Sequence, residues 1–429
     1  VLEVDAHNME ALYNTLAKAY HNDVPNPEMP TVIIANSHMG YGISFIQDKH
    51  EYHGKTLSAE QAKKALAEIG IKENVDEWID KRAKHKVEKE TKHFEYPYPQ
   101  INIGKPILYK PDQAIDNRSA YGNALADLGK LNNSSKPVVI GVTCDLADSV
   151  KMGSFAKTSP DAFIEAGIQE HHASTMSGRL STENFVVFFS TFGVFGIAES
   201  YNQMRLNTIN RTNLKLVCTH IGLNVGEDGP THQNIDYIGL ANSMFGLRVS
   251  IPADPNQTDR NIRKVATLKG NDFVGMGREK APIILNENGE PYFGENYEYV
   301  PGKADWVRKG SKGTIIAIGP MVSVAVKACE ELKKLGISVG VLNIASVIPI
   351  DVEAIIEAGK LGNIVTMEDH NVNTGIGSIV SNILVENNLS AKIVKLGVTK
   401  YGSSGKTPAL YADQGLTSEN VVEKFTKYF

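Results

Sequence analysis

The chain contains the stretch Leu214-Lys-Leu-Val-Cys-Thr-His-Ile-Gly-Leu-Asn-Val-Gly-Glu-Asp-Gly-Pro-Thr-His-Gln233, in which an apolar run leads into a glycine-punctuated loop. The apolar run is typical of a buried strand, so His220 should lie at the carboxyl end of that strand, where open α/β sheets bind their ligands. Asp228 and His232 flank a Gly-Pro turn that folds the loop back. We call residues 219–233 the histidine loop. It predicts a site in which two imidazoles and a carboxylate face one small polar ligand; a solvated loop whose histidines cap nearby backbone is the alternative.

Strands and helices alternate on both sides of this loop, which favours a doubly wound sheet. The alternation stops near Pro282 and resumes after Lys303. The Gly375-Ile-Gly377 turn precedes an apolar helix and is interpreted as strand-to-helix packing rather than as an anion site. The predicted strands are residues 31–35, 137–143, 185–189, 214–218, 247–251, 313–319, 338–343 and 363–367. The predicted helices include 9–20, 117–128, 321–335 and a charged, solvated helix from about 74 to 95.

The composition of the chain limits which classes of binding partner are expected. The chain has 429 residues, 42% of them hydrophobic and 22% charged, with a net charge of −5, and no basic block interleaved with aromatic residues occurs; no nucleic-acid partner is expected. No apolar run approaches the roughly 18 residues of a membrane span, so no membrane partner is expected either. The three cysteines have no disulfide or zinc spacing, and we interpret them as core residues of a cytoplasmic protein.

Two motifs carry a family resemblance. Thr219-His220 with Gly226-Glu-Asp-Gly-Pro-Thr-His-Gln233 closely resembles the substrate-channel loop of transketolases, thiamine-diphosphate enzymes that transfer two-carbon ketol units between sugar phosphates. Tyr52-His53-Gly54 is similar to the His-Gly pair of the family's diphosphate-binding domain. The resemblance covers essentially the whole chain and implies an α/β protein with three doubly wound units on mostly parallel sheets. These are the second half of the diphosphate-binding domain in residues 1–95, a linker in 96–113, the pyrimidine-binding domain in 114–290 and the transketolase C-terminal domain in 303–429.

One family motif is absent from the sequence. Gly-Asp-Gly followed some 25 to 30 residues later by Asn, which in the family holds Mg²⁺ and the diphosphate, occurs nowhere in the chain. The start, Val1-Leu-Glu-Val-Asp5, is neither a signal peptide nor an initiator methionine, so we expect the chain to begin inside a longer arrangement. The implied cofactors are thiamine diphosphate and Mg²⁺, with the metal ligands on an N-terminal segment that carries the motif. No metal ligand is predicted in this chain.

The resemblance also implies residues for the cofactor. Glu170 matches the family acid that hydrogen-bonds the aminopyrimidine ring, and it precedes a run of small residues that should start a buried helix. Phe192 and Phe195 match the aromatic residues of the ring slot, whose third aromatic is Ala198 here; Tyr201 is a candidate replacement. Asp145 resembles the carboxylate near the thiazolium end. The alternative for Glu170 is a carboxylate stabilised by the helix dipole at a helix start, and the alternative for Phe192 and Phe195 is a plain core role.

A second implied set faces the substrate. Arg118, Ser149, His220 and Arg278 match the family's phosphate-binding positions, and arginine is well suited to a phosphate dianion. His53, His220 and His232 with Asp228 would orient the sugar hydroxyls and carbonyl, so His53 and His232 join Glu170 as catalytic candidates. Each arginine taken alone is more often a solvated surface charge.

Several functions remain open at this point. Transketolase activity on sugar phosphates is the first, and the resemblance implies that a second copy of the chain and the N-terminal segment complete the active site. 1-Deoxy-xylulose-5-phosphate synthases and the β subunits of 2-oxo acid dehydrogenases share domains with transketolases and are the enzymatic alternatives. A non-catalytic chain that keeps the fold is the alternative from another class.

Overall fold

A computed structural model describes residues 1–86, 95–113 and 115–428. Contacts divide the chain into two compact units, with the boundary between residues 94 and 95. Strands and helices alternate in both units, and the strands are mostly parallel. The predicted α/β class is therefore confirmed. In the described part of the chain, no helix combines the length and the apolar character that crossing a bilayer requires.

The first unit contains a two-stranded parallel sheet rather than a doubly wound one. Leu2 pairs with Ile33, and the strand at the start of the chain was not predicted from the sequence. Two short strands do not form a sheet that can bury two faces, which is why Ile34 and most of the first helix stay accessible. The charged helix expected over residues 74–95 spans ten residues, and 87–94 lie outside the described residues. The elements are β1 (Leu2–Asp5), α1 (Met9–Tyr20), β2 (Ile33–Asn36), α2 (Ala59–Glu68) and α3 (Val75–Lys84).

The second unit contains a seven-stranded sheet, and six of its strands lie within residues 117–275 together with the helices that connect them. They are α4 (Asn117–Asn132), β3 (Val139–Thr143), α5 (Gly153–Thr158), β4 (Phe163–Glu165), α6 (Glu170–Leu180), β5 (Val186–Phe192), α7 (Tyr201–Ile209), β6 (Lys215–Thr219), α8 (Tyr237–Asn242), β7 (Leu247–Ser250), α9 (Pro255–Val265) and β8 (Asn271–Gly275).

The same unit continues with a five-stranded sheet. The elements in this part of the chain, which include the seventh strand of the larger sheet, β12, are β9 (Asp305–Arg308), β10 (Thr314–Ala317), α10 (Met321–Lys334), β11 (Gly340–Asn343), β12 (Ser346–Ile348), α11 (Val352–Lys360), β13 (Asn363–Asn371), α12 (Ile376–Glu386), β14 (Lys392–Val398), α13 (Thr407–Asp413) and α14 (Ser418–Tyr428).

The strand order links the two sheets. The larger sheet runs β12-β7-β8-β6-β5-β3-β4 and the smaller β14-β13-β10-β11-β9. All pairings in the larger sheet are parallel except that of β12, which pairs antiparallel with β7 through Ser346 and Ser250. A strand from the C-terminal part therefore completes the larger sheet, and one apolar cluster joins Leu247 and Ile251 with Leu342 and Ile376.

Alternate residues of the central strands bury their side chains on opposite faces of the larger sheet. Val187 and Phe189 of β5 belong to one apolar cluster, while Phe188 and Phe192 belong to another. Such two-sided burial is typical of a doubly wound sheet. Cys144, Cys218 and Cys329 are buried free thiols, which confirms their prediction as core residues.

Residues 95–113 carry no helix or strand, but they pack against the buried helix α9. Asn256 bonds both backbone groups of Tyr109, accepting from its N–H at 2.8 Å and donating to its carbonyl oxygen at 3.0 Å. Asp259 accepts from the Ile107 N–H at 3.0 Å, and the Tyr98 hydroxyl donates to the Ala266 carbonyl oxygen at 2.8 Å. This stretch, predicted to be a linker, is thus held on the second unit by hydrogen bonds.

Candidate active site

Two strands of the larger sheet bring the histidine loop and the aromatic residues together. β5 and β6 are parallel neighbours, and Phe192 pairs with Thr219 at their carboxyl ends. His220 follows directly and has a left-handed backbone conformation, with φ of 58°. Such a conformation is strained for a non-glycine residue and persists only where neighbours hold it. Here the next two backbone N–H groups donate to the carbonyl oxygens of Met276 and Asn234, at 3.3 and 2.7 Å.

The aromatic side chains form one cluster with both loop histidines. The ring of His220 stacks on Phe192 with centroids 3.7 Å apart, and Phe195 stacks on Phe192 at 5.8 Å. His232 meets both phenylalanines edge-on, at 6.1 and 5.8 Å. The four predicted residues are therefore in contact. Tyr201 does not join them, since its hydroxyl bonds Ser243 and its ring packs against the cluster on the other face of the sheet.

Glu170 is the first residue of α6 and is buried, with 7% of its surface exposed. Among the described residues its carboxylate has one hydrogen-bond partner, the Thr191 hydroxyl at 3.5 Å, which is the upper limit for such a bond. Thr191 precedes Phe192 on β5, so the carboxylate and the aromatic cluster lie beside the same strand end. A buried carboxylate with one long hydrogen bond can accept a stronger donor from a ligand.

The two predicted arginines lie on different segments, Arg118 on α4 and Arg278 after β8, and a hydrogen bond joins the Arg118 side chain to the Arg278 backbone. Arg118, in the first turn of α4, donates to the carbonyl oxygens of Ser149 at 3.0 Å and Arg278 at 2.9 Å. Arg278 donates to the Val225 carbonyl oxygen and to Asp228 Oδ1, both at 3.1 Å. The structure therefore brings together the predicted residues Arg118, Ser149, Asp228 and Arg278. Ser149 contributes its backbone carbonyl to this contact, not its hydroxyl.

The positive charges act on His220. Burial, together with the nearby charges of Arg118 and Arg278, lowers the pKa of His220 to about 3. The imidazole is thus neutral at physiological pH, with Nδ1 hydrogen-bonded to the Thr219 hydroxyl at 2.8 Å. A neutral imidazole close enough to feel the charges of two arginines can donate or accept a hydrogen bond without adding to the positive charge.

Lys151 is a further cation that the sequence analysis missed. Its charge contributes to the lowered pKa of His220, and its backbone is left-handed with φ of 65°. Gly122 of α4 lies against it, because a Cβ atom on Gly122 would approach the Lys151 carbonyl oxygen to 2.2 Å. The polar run that ends at Ser149, two residues earlier, was a signal that could have found it.

A cleft of about 1090 Å³ opens beside the arginines, between the larger sheet and the C-terminal part. Its lining includes Arg118, Asn224, Arg278, Thr407 and Tyr411. A volume of this size exceeds what a small ligand needs. The cleft thus offers the arginine cluster a route to solvent.

The structure also gives the positions of Asp145, His53 and the glycine turn at residues 375–377. Asp145 follows β3 with φ of 57° and is exposed, and its N–H donates to Glu165 at 2.5 Å. His53 is an exposed residue of the first unit, at the end of a short 3₁₀ turn.

At the glycine turn before α12, the Glu368 carboxylate accepts from the N–H groups of Ile376 and Gly377, at 2.6 and 3.0 Å. The Glu368 side chain already occupies that helix start, so the interpretation as strand-to-helix packing is confirmed. No group of three or more His, Cys, Asp or Glu residues able to hold a metal ion occurs within residues 1–86, 95–113 and 115–428.

The fold and site define an α/β protein with a polar and aromatic site at the carboxyl ends of a parallel sheet. Comparisons with known proteins give its family. Residues 113–280 match the family model "Transketolase, pyrimidine binding domain" and residues 302–421 match "Transketolase, C-terminal domain". The putative transketolase C-terminal section of Methanocaldococcus jannaschii is 33% identical over 309 residues, which are 72% of this chain and 94% of that relative. The chain belongs to the transketolase family.

Two further relatives show how much of a transketolase is present. Human transketolase is 30% identical over 426 residues, which cover 98% of this chain but 64% of the human protein. A solved structure of a split-gene transketolase, an inactive β4 tetramer, superposes with a TM-score of 0.65 at 32% identity and covers 73% of this chain and 98% of that one. The chain therefore spans less than two thirds of the human protein.

Proposed function

We propose that this chain is the substrate-facing part of a thiamine-diphosphate-dependent transketolase. The enzyme would reversibly transfer a two-carbon ketol unit from a ketose phosphate to an aldose phosphate. One observation carries the proposal: Phe192, Phe195 and the two loop histidines form one cluster next to the bonded pair Arg118 and Arg278. An aromatic slot and a phosphate-binding pair side by side suit a reaction between a ring cofactor and a phosphorylated sugar.

The residues present fit the ring of thiamine diphosphate. The stacked rings of Phe192 and Phe195 offer apolar faces for an aminopyrimidine, and the buried Glu170 has capacity for a further donor. Bound thiamine diphosphate would supply the carbon nucleophile that accepts the ketol unit. Glu170 would hold the proton that activates the ring, while Asp145 would lie near its other end. A complementary segment, on this polypeptide or another, would supply the diphosphate and Mg²⁺ ligands.

The chain's own residues would handle the sugar phosphate. Arg118 and Arg278 would bind the phosphate, helped by Lys151 and Ser149, because charge-assisted bonds to an anion are about twice as strong as neutral ones. His220 and His232 would bond the sugar oxygens as neutral imidazoles or proton carriers, and Asp228 would keep Arg278 oriented. His53 would join them in the assembled enzyme.

The test is Glu170→Gln in a preparation that contains the complementary segment. The amide keeps the shape but does not exchange the proton, so we expect ketol transfer to fall by about 10² to 10⁴. Glu183→Gln is the matched control, because Glu183 is exposed and follows the same helix. Near-normal transfer by Glu170→Gln would refute the assignment. A wild-type protein that transfers no ketol unit in the complete assembly would instead favour the non-catalytic alternative.

A further inference from the structure

A carboxylate of the C-terminal part bonds the backbone of the histidine loop. Asp369 lies near the end of β13, with 2% of its surface exposed. Its Oδ1 accepts from the Leu223 N–H at 2.8 Å, and its Oδ2 accepts from the Asn224 N–H at 3.1 Å and from the Tyr411 hydroxyl at 2.8 Å. Three donors thus converge on one buried carboxylate, and two of them are backbone groups three and four residues after His220.

The backbone of the histidine loop packs tightly against the Asp369 carboxylate. Gly222 has φ of 71°, and a Cβ atom there would approach Asp369 Oδ2 to 2.3 Å. The loop backbone can approach the carboxylate this closely because residue 222 is glycine. The path of the chain just after His220 is therefore set by Asp369, which belongs to a different sheet.

Asn224 extends the contact to the arginine segment. Its side-chain Nδ2 donates to the Tyr411 hydroxyl at 3.3 Å, and its Oδ1 accepts from the Glu279 N–H at 2.7 Å. Glu279 follows Arg278, whose guanidinium returns to the loop at Val225 and Asp228. A continuous set of hydrogen bonds thus runs from β13 and α13 to the histidine loop and to the Arg278 segment, each of which carries a candidate phosphate ligand.

We propose that Asp369 and Tyr411 are positioning residues, which hold the histidine loop and the Arg278 segment in the arrangement that binds a phosphorylated ligand. Among the described residues, their side chains hydrogen-bond each other, Leu223 and Asn224, so we expect them to act on the site through Leu223 and Asn224. The C-terminal part of the chain thereby acquires a function in the site besides packing. The placement rests on the contacts above, and its consequence for sugar phosphates rests on the proposed function.

Hydrogen exchange of the chain itself tests the placement. Tyr411→Phe removes one hydroxyl with its two bonds, and Asp369→Asn replaces one acceptor by a donor. We expect both to speed amide exchange in residues 222–225 and 278–280 by about tenfold or more, because bonds to a charged group are lost there. Strand β10 should exchange as in the wild type. Asp413→Asn is the control, because Asp413 is an exposed partner of Lys400.

Two results would overturn the placement. One result is that Tyr411→Phe leaves amide exchange in the histidine loop unchanged, while Asp369→Asn either leaves it unchanged or does not fold. The loop would then keep its conformation without these two side chains. The other result is amide exchange that becomes faster to the same extent throughout both sheets. Asp369 and Tyr411 would then contribute to global stability and would not position the loop. Tyr411→Phe keeps the test decisive if Asp369→Asn does not fold, since it removes no charge.

A kinetic measurement tests the consequence. In a preparation with established ketol transfer, Tyr411→Phe should raise KM about three- to tenfold for a phosphorylated acceptor, and leave kcat and KM for a short unphosphorylated aldehyde near wild type. An equal change in KM for both acceptors would contradict positioning of the phosphate ligands. Absent wild-type activity would defeat the proposed function alone, because the exchange result does not depend on it.

Discussion

At the scale of single residues, Arg278 is the most direct test of the candidate phosphate site. Its guanidinium reaches Asp228 and Val225 and is about two-fifths exposed, so it can turn to a ligand at little cost. Arg278→Ala should raise KM for a phosphorylated acceptor by about 10- to 100-fold, which corresponds to loss of a charge-assisted contact. Steady-state kinetics with a short unphosphorylated aldehyde should show little change.

Arg82→Ala, on the exposed helix α3, is the control for the loss of an arginine. Equal changes in KM for phosphorylated and unphosphorylated acceptors would show that Arg278 only supports the loop.

His220 should make the stability of the fold depend on pH. Its folded pKa is lowered to about 3, while the unfolded histidine titrates near the ordinary 6.5, so below that value the unfolded state binds more protons. The contribution of His220 is fully present above pH 6.5 and is lost as pH falls toward 3. The free energy of unfolding of the wild type, relative to His220→Gln, should fall by about 1.4 kcal/mol per pH unit between pH 6 and 4.

Chemical denaturation at several pH values measures this difference. The same experiment with His21→Gln, an exposed histidine at the end of α1, should give curves parallel to those of the wild type. A gap between wild type and His220→Gln that is constant with pH would mean that His220 is not buried as a neutral group.

At the scale of elements, helix α9 depends on the segment that covers it. Asn256 satisfies both backbone groups of Tyr109 and is fully buried. Asn256→Ala should lower the free energy of unfolding by about 2–4 kcal/mol, because it removes two hydrogen bonds and leaves two buried backbone groups unpaired. Tyr98→Phe, which removes one bond to Ala266, should cost about 1 kcal/mol.

Urea unfolding followed by circular dichroism measures both changes. A loss below about 0.5 kcal/mol for Asn256→Ala, the range of ordinary surface substitutions, would show that residues 95–113 behave as a free linker.

At the scale of the whole molecule, cofactor binding should require more than this chain. The aromatic slot and one carboxylate contribute a few kcal/mol before association entropy is subtracted. We therefore expect millimolar or weaker affinity for thiamine diphosphate with Mg²⁺ in calorimetric titrations of the 429-residue chain, and micromolar affinity once a segment with the Gly-Asp-Gly…Asn motif is added. Micromolar, Mg²⁺-dependent binding by the chain alone would reveal a metal site that the sequence does not signal.

The proposed function requires this chain to associate with a second copy of itself and with the complementary segment. Analytical ultracentrifugation of the chain alone and of the mixture would separate a monomer from either assembly.

The sequence by itself determined the class of fold and which polar and aromatic residues lie at the strand ends. Apolar runs and glycine turns are local signals, so the helix predicted over residues 9–20 has those bounds, and the strand predicted over 214–218 is shifted by one residue to Lys215–Thr219. The aromatic pair was found in the same way, through a motif that is contiguous in the chain. The doubly wound first unit was not found as predicted, because a sheet needs partner strands that this unit lacks among its described residues.

The tertiary structure alone decided which distant groups complete the site and the core. Helix α9 is rich in polar residues and would be expected on the surface, yet it is buried because its polar groups bond residues 103–109, some 150 positions away. Strand β12 joins the larger sheet, and Asp369 joins the histidine loop, across separations of about 100 and 146 residues. These contacts form only when whole elements pack together. The local pattern of residues that predicts a strand or a turn therefore does not predict them.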